Sequence, residues 1–133
     1  MRYWLNGTFY NAAFTAEEKE RIETVTVTAD ANPMYKTNAG NNTTDTVFLL
    51  SLSELNYYFS CDSDRFCRAT QYAVAQGAYV SPSTGGSWWL LRTPGASASF
   101  ATSVNSDGTI DYDGGSVSSG RGVVRPAMWI HLE

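Results

Sequence analysis

Gly85-Gly86-Ser87-Trp88-Trp89-Leu90-Leu91-Arg92-Thr93-Pro94-Gly95 and Gly122-Val123-Val124-Arg125-Pro126-Ala127-Met128-Trp129-Ile130 are the two stretches that decide the fold. Each is an apolar block carrying Trp, an Arg and a Pro. They bracket 26 residues, Ala96 to Arg121, dominated by Ser, Gly, Asp, Ala and Thr. The blocks read as framework and the stretch between them as a displayed surface. The first block predicts a strand ending at Thr93-Pro94-Gly95, and Val123 to Leu132 predicts a final strand, with Pro126 marking an edge or a bulge. Inside the bracket Phe100, Thr102 and Val104 lie two apart, as do Ile110 and Tyr112. Asn105-Ser106-Asp107-Gly108 sits between these alternating runs, which predicts a hairpin.

Working back toward the N-terminus, the period changes. Trp4, Leu5, Phe9 and Ala12-Ala13 recur at helical spacing and predict one apolar helix face. Thr15 followed three residues later by Glu18 is a capping box that opens a second helix. Glu17 and Arg21 are four apart and can pair on its outer face. Val25-Thr26-Val27-Thr28 predicts a short strand, and Val47-Phe48-Leu49-Leu50 a buried central one. From Asp30 to Asp45 the chain is polar and without period, so a long loop is expected, of the kind that is functional or mobile. Ser51 or Ser53 can cap a short helix through Tyr58, and Thr70 to Gln76 makes another, with Gly77 placed for its C-terminal cap. Helices first and strands afterwards is the α+β signature.

The chain has 133 residues, within the range of one domain, 1–133. It is rich in aromatics, with 4 Trp, 8 Tyr and 6 Phe, and carries a net charge of −4. That charge argues against a nucleic-acid partner, which calls for a basic stripe. No apolar run reaches membrane-span length. Cys61 and Cys67 leave a short-loop disulfide and two free thiols both open, and zinc lacks ligands because His131 is the sole histidine.

Strand alternation puts one ring of Trp88-Trp89 inward and the other on the opposite face, where it could stack on a sugar or anchor a protein. Trp129 has the same two readings. Arg92 and Arg125, within apolar strands, are expected to hold loops through carbonyls or carboxylates. Asn105, Asp107, Asp111 and Asp113 are rich in oxygen, yet calcium takes about six to eight convergent oxygens. Turn chemistry accounts for Asp and Gly at such positions. No catalytic pair stands out: His131 has no Ser or Cys partner, and Ser83-Thr84-Gly85-Gly86-Ser87 lacks the Lys of a phosphate loop. A non-enzymatic module without catalytic residues, cofactor or metal is therefore expected.

Arg2-Tyr3-Trp4-Leu5-Asn6-Gly7-Thr8-Phe9-Tyr10-Asn11-Ala12-Ala13-Phe14, Asp45-Thr46-Val47-Phe48-Leu49-Leu50-Ser51, Tyr58-Phe59, Thr70-Gln71-Tyr72-Ala73 and Gly77-Ala78 precede the two Trp blocks. In that order they resemble a bacterial domain family of unknown function, common in Firmicutes of the gut and in their phages. The resemblance covers nearly the whole chain. It implies a C-type-lectin-like α+β fold, with short N-terminal helices followed by a twisted antiparallel sheet with long loops. Domains similar to these serve as variable proteins of diversity-generating retroelements, in which a C-terminal segment is mutated at adenines on a fixed framework. Ala96 to Arg121 lies where such a segment would. Its composition is compatible with the codons that adenine mutagenesis yields. The block Trp-Trp-Leu-Leu-Arg departs from the family by one extra Leu, which reverses the facing of the residues beyond it unless a bulge absorbs it.

The expected ligand surface comprises Ala96, Ser97, Ser99, Phe100, Thr102, Asn105, Asp107, Asp111, Tyr112, Asp113, Ser116, Ser118 and Arg121. Rigid aromatics give it area and Ser and Asp give adaptable hydrogen bonds. Its partner would be a protein or glycan ligand on a cell or phage surface. The sequence leaves the location open; a displayed receptor would act at the cell surface, secreted or on a virion, with homo-oligomerisation left open. Two rival readings are a calcium-dependent carbohydrate-binding lectin, with Asp107, Asp111 and Asp113 converging, and a structural or oligomerisation domain burying Phe100 and Tyr112.

Overall fold

The computed structural model describes residues 1–132. It is α+β, with short helices and antiparallel sheets. The first helix is continuous through three parts, α-helical Arg2–Trp4, π-helical Leu5–Phe9 and α-helical Tyr10–Ala13. The wide π turn brings Trp4 beside Phe9, ring centroids 5.3 Å apart, on a side that leaves Trp4 exposed. Leu5 alone of this helix is buried. The expected apolar face of Trp4, Leu5, Phe9 and Ala12-Ala13 is thus corrected, because the π turn breaks the 3.6-residue period on which it rested.

The second helix, Ala16–Arg21, starts at the Thr15–Glu18 capping box, with both reciprocal hydrogen bonds formed. Ser51 and Glu54 repeat the device at the helix Leu52–Tyr58. Thr70 caps Gln71–Ala75, after which Gly77 turns at φ 95°. Each cap satisfies backbone N–H groups that a helix start leaves unpaired.

Val25–Val27 (β1) pairs antiparallel with Thr43–Asp45 (β2). The expected loop from Asp30 to Asp45 therefore ends in a strand, which three polar residues do not betray as a period. Trp89–Pro94 (β3), Phe100–Val104 (β4) and Ile110–Ser116 (β5) form an antiparallel sheet in sequence order. Its β4–β5 turn is the predicted one, with Gly108 at φ 91° and so close to the Asp62 carbonyl that a Cβ would lie 2.0 Å from it. The register shifts between Leu90 and Pro94, so a bulge takes up the extra length of β3. Trp89, Leu91 and Thr93 stay buried in alternation.

Two expected strands are not ladders. Val47-Phe48 is buried, but only Phe48 bridges, exchanging both backbone bonds with Ala127 at 3.0 and 2.8 Å. The segment from Val123 onward is a strap that touches three neighbours once each: Trp89 at Val123, Phe48 at Ala127 and Ile22 at Ile130. Pro126, which has no N–H to donate, interrupts any continuous pairing. Leu52, Leu55, Trp89, Leu91 and Val104 make the core on one face of the sheet, with Ile110 and Tyr112 packed against it. Trp88 turns to the other face, where its ring would contact a Cβ at Gly115 or Gly122 at 2.8 Å. It is a packing ring half-buried over two glycines rather than an exposed anchor.

Arg92 joins four segments. Its Nε donates to the Thr28 carbonyl (3.0 Å) and its Nη1 to the Leu49 carbonyl (2.9 Å). Nη1 and Nη2 also grip Glu54 at 2.5 and 2.8 Å. Burial pushes the Glu54 carboxyl up, but the Arg92 bonds and those from Ser51 outweigh it and hold it below its ordinary value. Arg125 lies over the Trp89 ring, 4.6 Å from its centroid, and donates to the Arg65 carbonyl at 3.3 Å. Both arginines occupy loop-holding positions.

Candidate functional site

A hairpin separates its two ends by the length of its strands. For β4, five residues at about 3.3 Å each place them roughly 15 Å apart. The expected surface residues divide between these ends. At one end lie Ala96, Ser97 and Ser99, in the β3–β4 connection, and Phe100, which opens β4, together with Asp113, Ser116 and Ser118. The Ala96 N–H donates to the Asp113 carbonyl (2.9 Å) and the Val117 N–H to the Ser99 carbonyl (3.1 Å), which binds these segments side by side. Ser116 and Ser118 hydroxyls are 3.0 Å apart. Phe100 is 41% exposed.

The residue that organises this end is Asn32, which is fully buried. Its Nδ2 donates to the Pro94 carbonyl at 2.9 Å and to the Tyr112 carbonyl at 3.0 Å, bridging β3 and β5. Its Oδ1 accepts the N–H groups of Met34 and Tyr35 at 2.8 and 3.0 Å. One side chain thereby fixes the 33–37 turn against the sheet, and Thr37 adds a hydroxyl bond to the Gly95 carbonyl at 2.7 Å. The turn delivers Tyr35 to Asp113, whose carboxylate accepts the phenol proton in a short bond. That bond, with some burial and the charges of Asp113 and Asp111, raises the Tyr35 pKa above its ordinary value. Met34 and Tyr35 remain largely exposed. Tyr35, Phe100, Asp113 and the serines therefore form one aromatic and hydroxyl-rich surface.

Sequence reasoning does not place Asn32, Met34 or Tyr35 in the site. The signal is nonetheless present in Asn32-Pro33, since Asn before Pro favours a turn that its own side chain closes.

At the other end Asp107 accepts the N–H and hydroxyl of Thr109 at 3.0 and 2.6 Å, and these bonds lower its pKa. Asn105 donates to the Thr109 hydroxyl at 3.1 Å. Both serve the turn, and the strand length sets them apart from Phe100. Asp111 accepts the N–H groups of Asp113 and Gly114 at 3.1 and 3.2 Å. Asp107, Asp111 and Asp113 do not converge, and no group of three or more His, Cys, Asp or Glu suited to a metal ion occurs among the described residues.

Three expected surface residues are scaffold or lie apart. Thr102 is fully buried, its hydroxyl donating to the Thr93 carbonyl at 3.0 Å, so it cannot meet a ligand on this surface. It lies on the central strand, whose residues Ala101 to Val104 are all buried because both faces of β4 are covered. Tyr112 packs half-buried on the core. Arg121 stacks over the Tyr79 ring at 5.7 Å and accepts the Tyr79 N–H on its carbonyl at 2.8 Å.

The cysteines are both free thiols, Cys61 exposed and Cys67 half-buried with its pKa raised by burial. His131 is exposed, 3.4 Å from Glu23. Among the described residues no helix is long and apolar enough to cross a membrane.

No curated protein and no solved structure matches this chain. The profile of a domain of unknown function, DUF6273, matches residues 1–132, nearly the full length over which the two Trp blocks and the capped helices are laid out. The chain belongs to the DUF6273 family.

Proposed function

We propose that this chain is a non-enzymatic ligand-binding module whose recognition surface is the end of the sheet carrying Tyr35, Ser97, Ser99, Phe100, Asp113, Ser116 and Ser118. The observation that carries the reading is the buried Asn32, whose four hydrogen bonds fix the 33–37 turn beside β3 and β5. Preorganised aromatic and hydroxyl groups bind with little ordering penalty, because the loop that presents them is already held. The side chains suit a protein or glycan ligand at a cell or phage surface: rings for stacking, and Ser and Asp for hydroxyls and amides.

The framework is proposed to be C-type-lectin-like, and the segment Ala96 to Arg121 to be diversified by a retroelement. The placement supports this division of labour. Apart from Phe100, the exposed side chains of that segment occupy connections and the edge strand β5, whereas its buried run, Ala101 to Val104, belongs to the central strand and packs with Trp89 and Leu91. Substitution at Ser97, Ser99 or Ser118 changes no buried contact.

The diversification claim is checked in the DNA flanking the gene. A reverse transcriptase and a near-copy of the 3′ coding segment, differing at adenines that map to exposed positions within Ala96 to Arg121, are expected. An intact locus without such a repeat, or differences falling on buried positions such as Thr102 and Val104, would sink it.

A further inference from the structure

Packing is incomplete where the first helix and the β1–β2 ribbon meet the sheet. Leu5 from the first helix, Val27 from β1, Val47 to Leu49, Leu90 and Leu91 from β3, Ala101 from β4 and Val117 surround a half-open cavity of about 280 Å³. Leu5, Val27, Val47, Leu91 and Ala101 are themselves buried, so these walls cannot close the space without moving the helix or the β1–β2 ribbon. An apolar cavity of about 150 Å³ accepts a benzene molecule and offers water too few polar partners. This one is nearly twice that volume, which admits one medium-length alkyl chain or a fused ring pair.

The polar boundary of the cavity is as informative as its walls. Arg2 and Asp45 line it, and the same two residues line a polar cleft of about 320 Å³ with Tyr3, Asn6, Thr24, Thr44 and Thr46. The Arg2 Nε donates to both Asp45 oxygens at 2.8 and 2.9 Å, and Nη2 reaches the Thr44 carbonyl at 3.4 Å. Nη1 is left without a hydrogen bond among the described residues, on a side chain 46% exposed. Arg92 also lines the cavity, but its guanidinium is taken up by Glu54, Thr28 and Leu49. A guanidinium whose charge is shared with Asp45, but whose Nη1 donors are spare, therefore stands where apolar space meets polar surroundings.

We propose that this cavity binds the apolar part of a small monoanionic amphiphile, of which a medium-chain carboxylate is the simplest example, with its head beside Arg2. The cavity borders the Tyr35–Phe100 surface at Val117, between Ser116 and Ser118, but it opens to different side chains, and either reading can hold without the other. A hydrocarbon chain gains from leaving water, and a carboxylate head takes the Nη1 donors in a charge-assisted bond.

Sodium octanoate and 1-octanol, titrated into the methyl-labelled chain, test it by NMR. Saturable shifts are expected at the methyls of Leu5, Val27, Val47, Leu49 and Leu90. Octanoate should bind about two- to fivefold tighter than octanol, the range that an exposed ion pair supplies. Ala101→Leu fills the cavity, and Val117→Phe narrows it from a position that is 56% exposed and so leaves the core intact. Both should weaken octanoate at least about tenfold by excluding the chain. The proposal is overturned by the absence of saturable shifts, by shifts centred instead on a second groove that Leu50, Tyr58, Met128 and Trp129 line, by octanol binding as well as octanoate, or by wild-type affinity in Val117→Phe.

Discussion

Asn32→Ala is expected to lower the unfolding free energy by about 2–4 kcal/mol, since four partly buried hydrogen bonds are lost at roughly 0.5–1.5 kcal/mol each. The loss is larger than the small side chain suggests because two donors and two acceptors on three separate segments lose their shared partner at once. Asn32→Asp separates the two halves of this role. An aspartate keeps the acceptor for Met34 and Tyr35 but sets a carboxylate against two carbonyl oxygens, so it should be at least as destabilising as alanine near neutral pH. Urea denaturation of the three proteins reads the stability. Amide exchange across residues 33–37 reads the anchoring of the turn and should accelerate in both variants. Wild-type stability in Asn32→Asp would show that the Nδ2 bridge holds nothing.

Trp89→Ala should remove about 3–5 kcal/mol, the range for deleting a large buried ring, and a domain near the lower end of ordinary stability would then fail to fold at 25 °C. Trp89 is 1% exposed and lies within the cluster of Leu52, Leu55, Leu91 and Val104. Its indole N–H donates to the Arg65 carbonyl at 3.2 Å. The Arg125 guanidinium rests on its face at 4.6 Å, so the truncation also strips a cation of its ring. Trp88→Ala should be milder, because that ring packs half-buried on the opposite face over glycines. Thermal denaturation that ranks Trp88→Ala as the more damaging of the two would reverse the assignment of faces.

Alternation alone tells that the two Trp rings point to opposite faces, and the structure adds which is which. Capping is legible in part: Thr15 with Glu18 makes the bonds its spacing suggests, Ser51 rather than Ser53 caps the helix after it, and Thr70 stands before its helix as the cap rather than within it. Those are local interactions, complete within four residues. The features that elude the sequence are long-range. Val47 to Leu50 and the Val123 strap look like strands because they are apolar, yet each meets its neighbours through single bridges. Apolar content reports burial and says nothing of how many ladder bonds form. Similarly, β2 is three polar residues that form a strand because β1 lies beside them.

The candidate site shows the same limit. Ser97, Ser99, Phe100 and Ser116 are readable from position between framework blocks, but Thr102 shares the alternation of Phe100 and is fully buried, because β4 becomes the central strand with both faces covered. Tyr35 joins the surface across 78 residues of chain through Asp113, a contact that no periodicity encodes. Asp107, drawn in by its charge, proves to be occupied with its own turn.

Ligand recognition is proposed to reside at the Tyr35–Phe100 end of the sheet. The most direct measurement is binding to an array of glycans and cell-surface proteins by wild type, by Tyr35→Ser/Phe100→Ser, and by Asn105→Ala/Asp107→Ala at the opposite end. Any ligand captured by wild type should bind the first variant at least about tenfold more weakly, as befits loss of two aromatic contacts. The second variant should keep its affinity, and thermal denaturation should show all three folded. Undiminished binding by Tyr35→Ser/Phe100→Ser, with affinity lost instead in Asn105→Ala/Asp107→Ala, would contradict the account and move recognition to the far end of the hairpin.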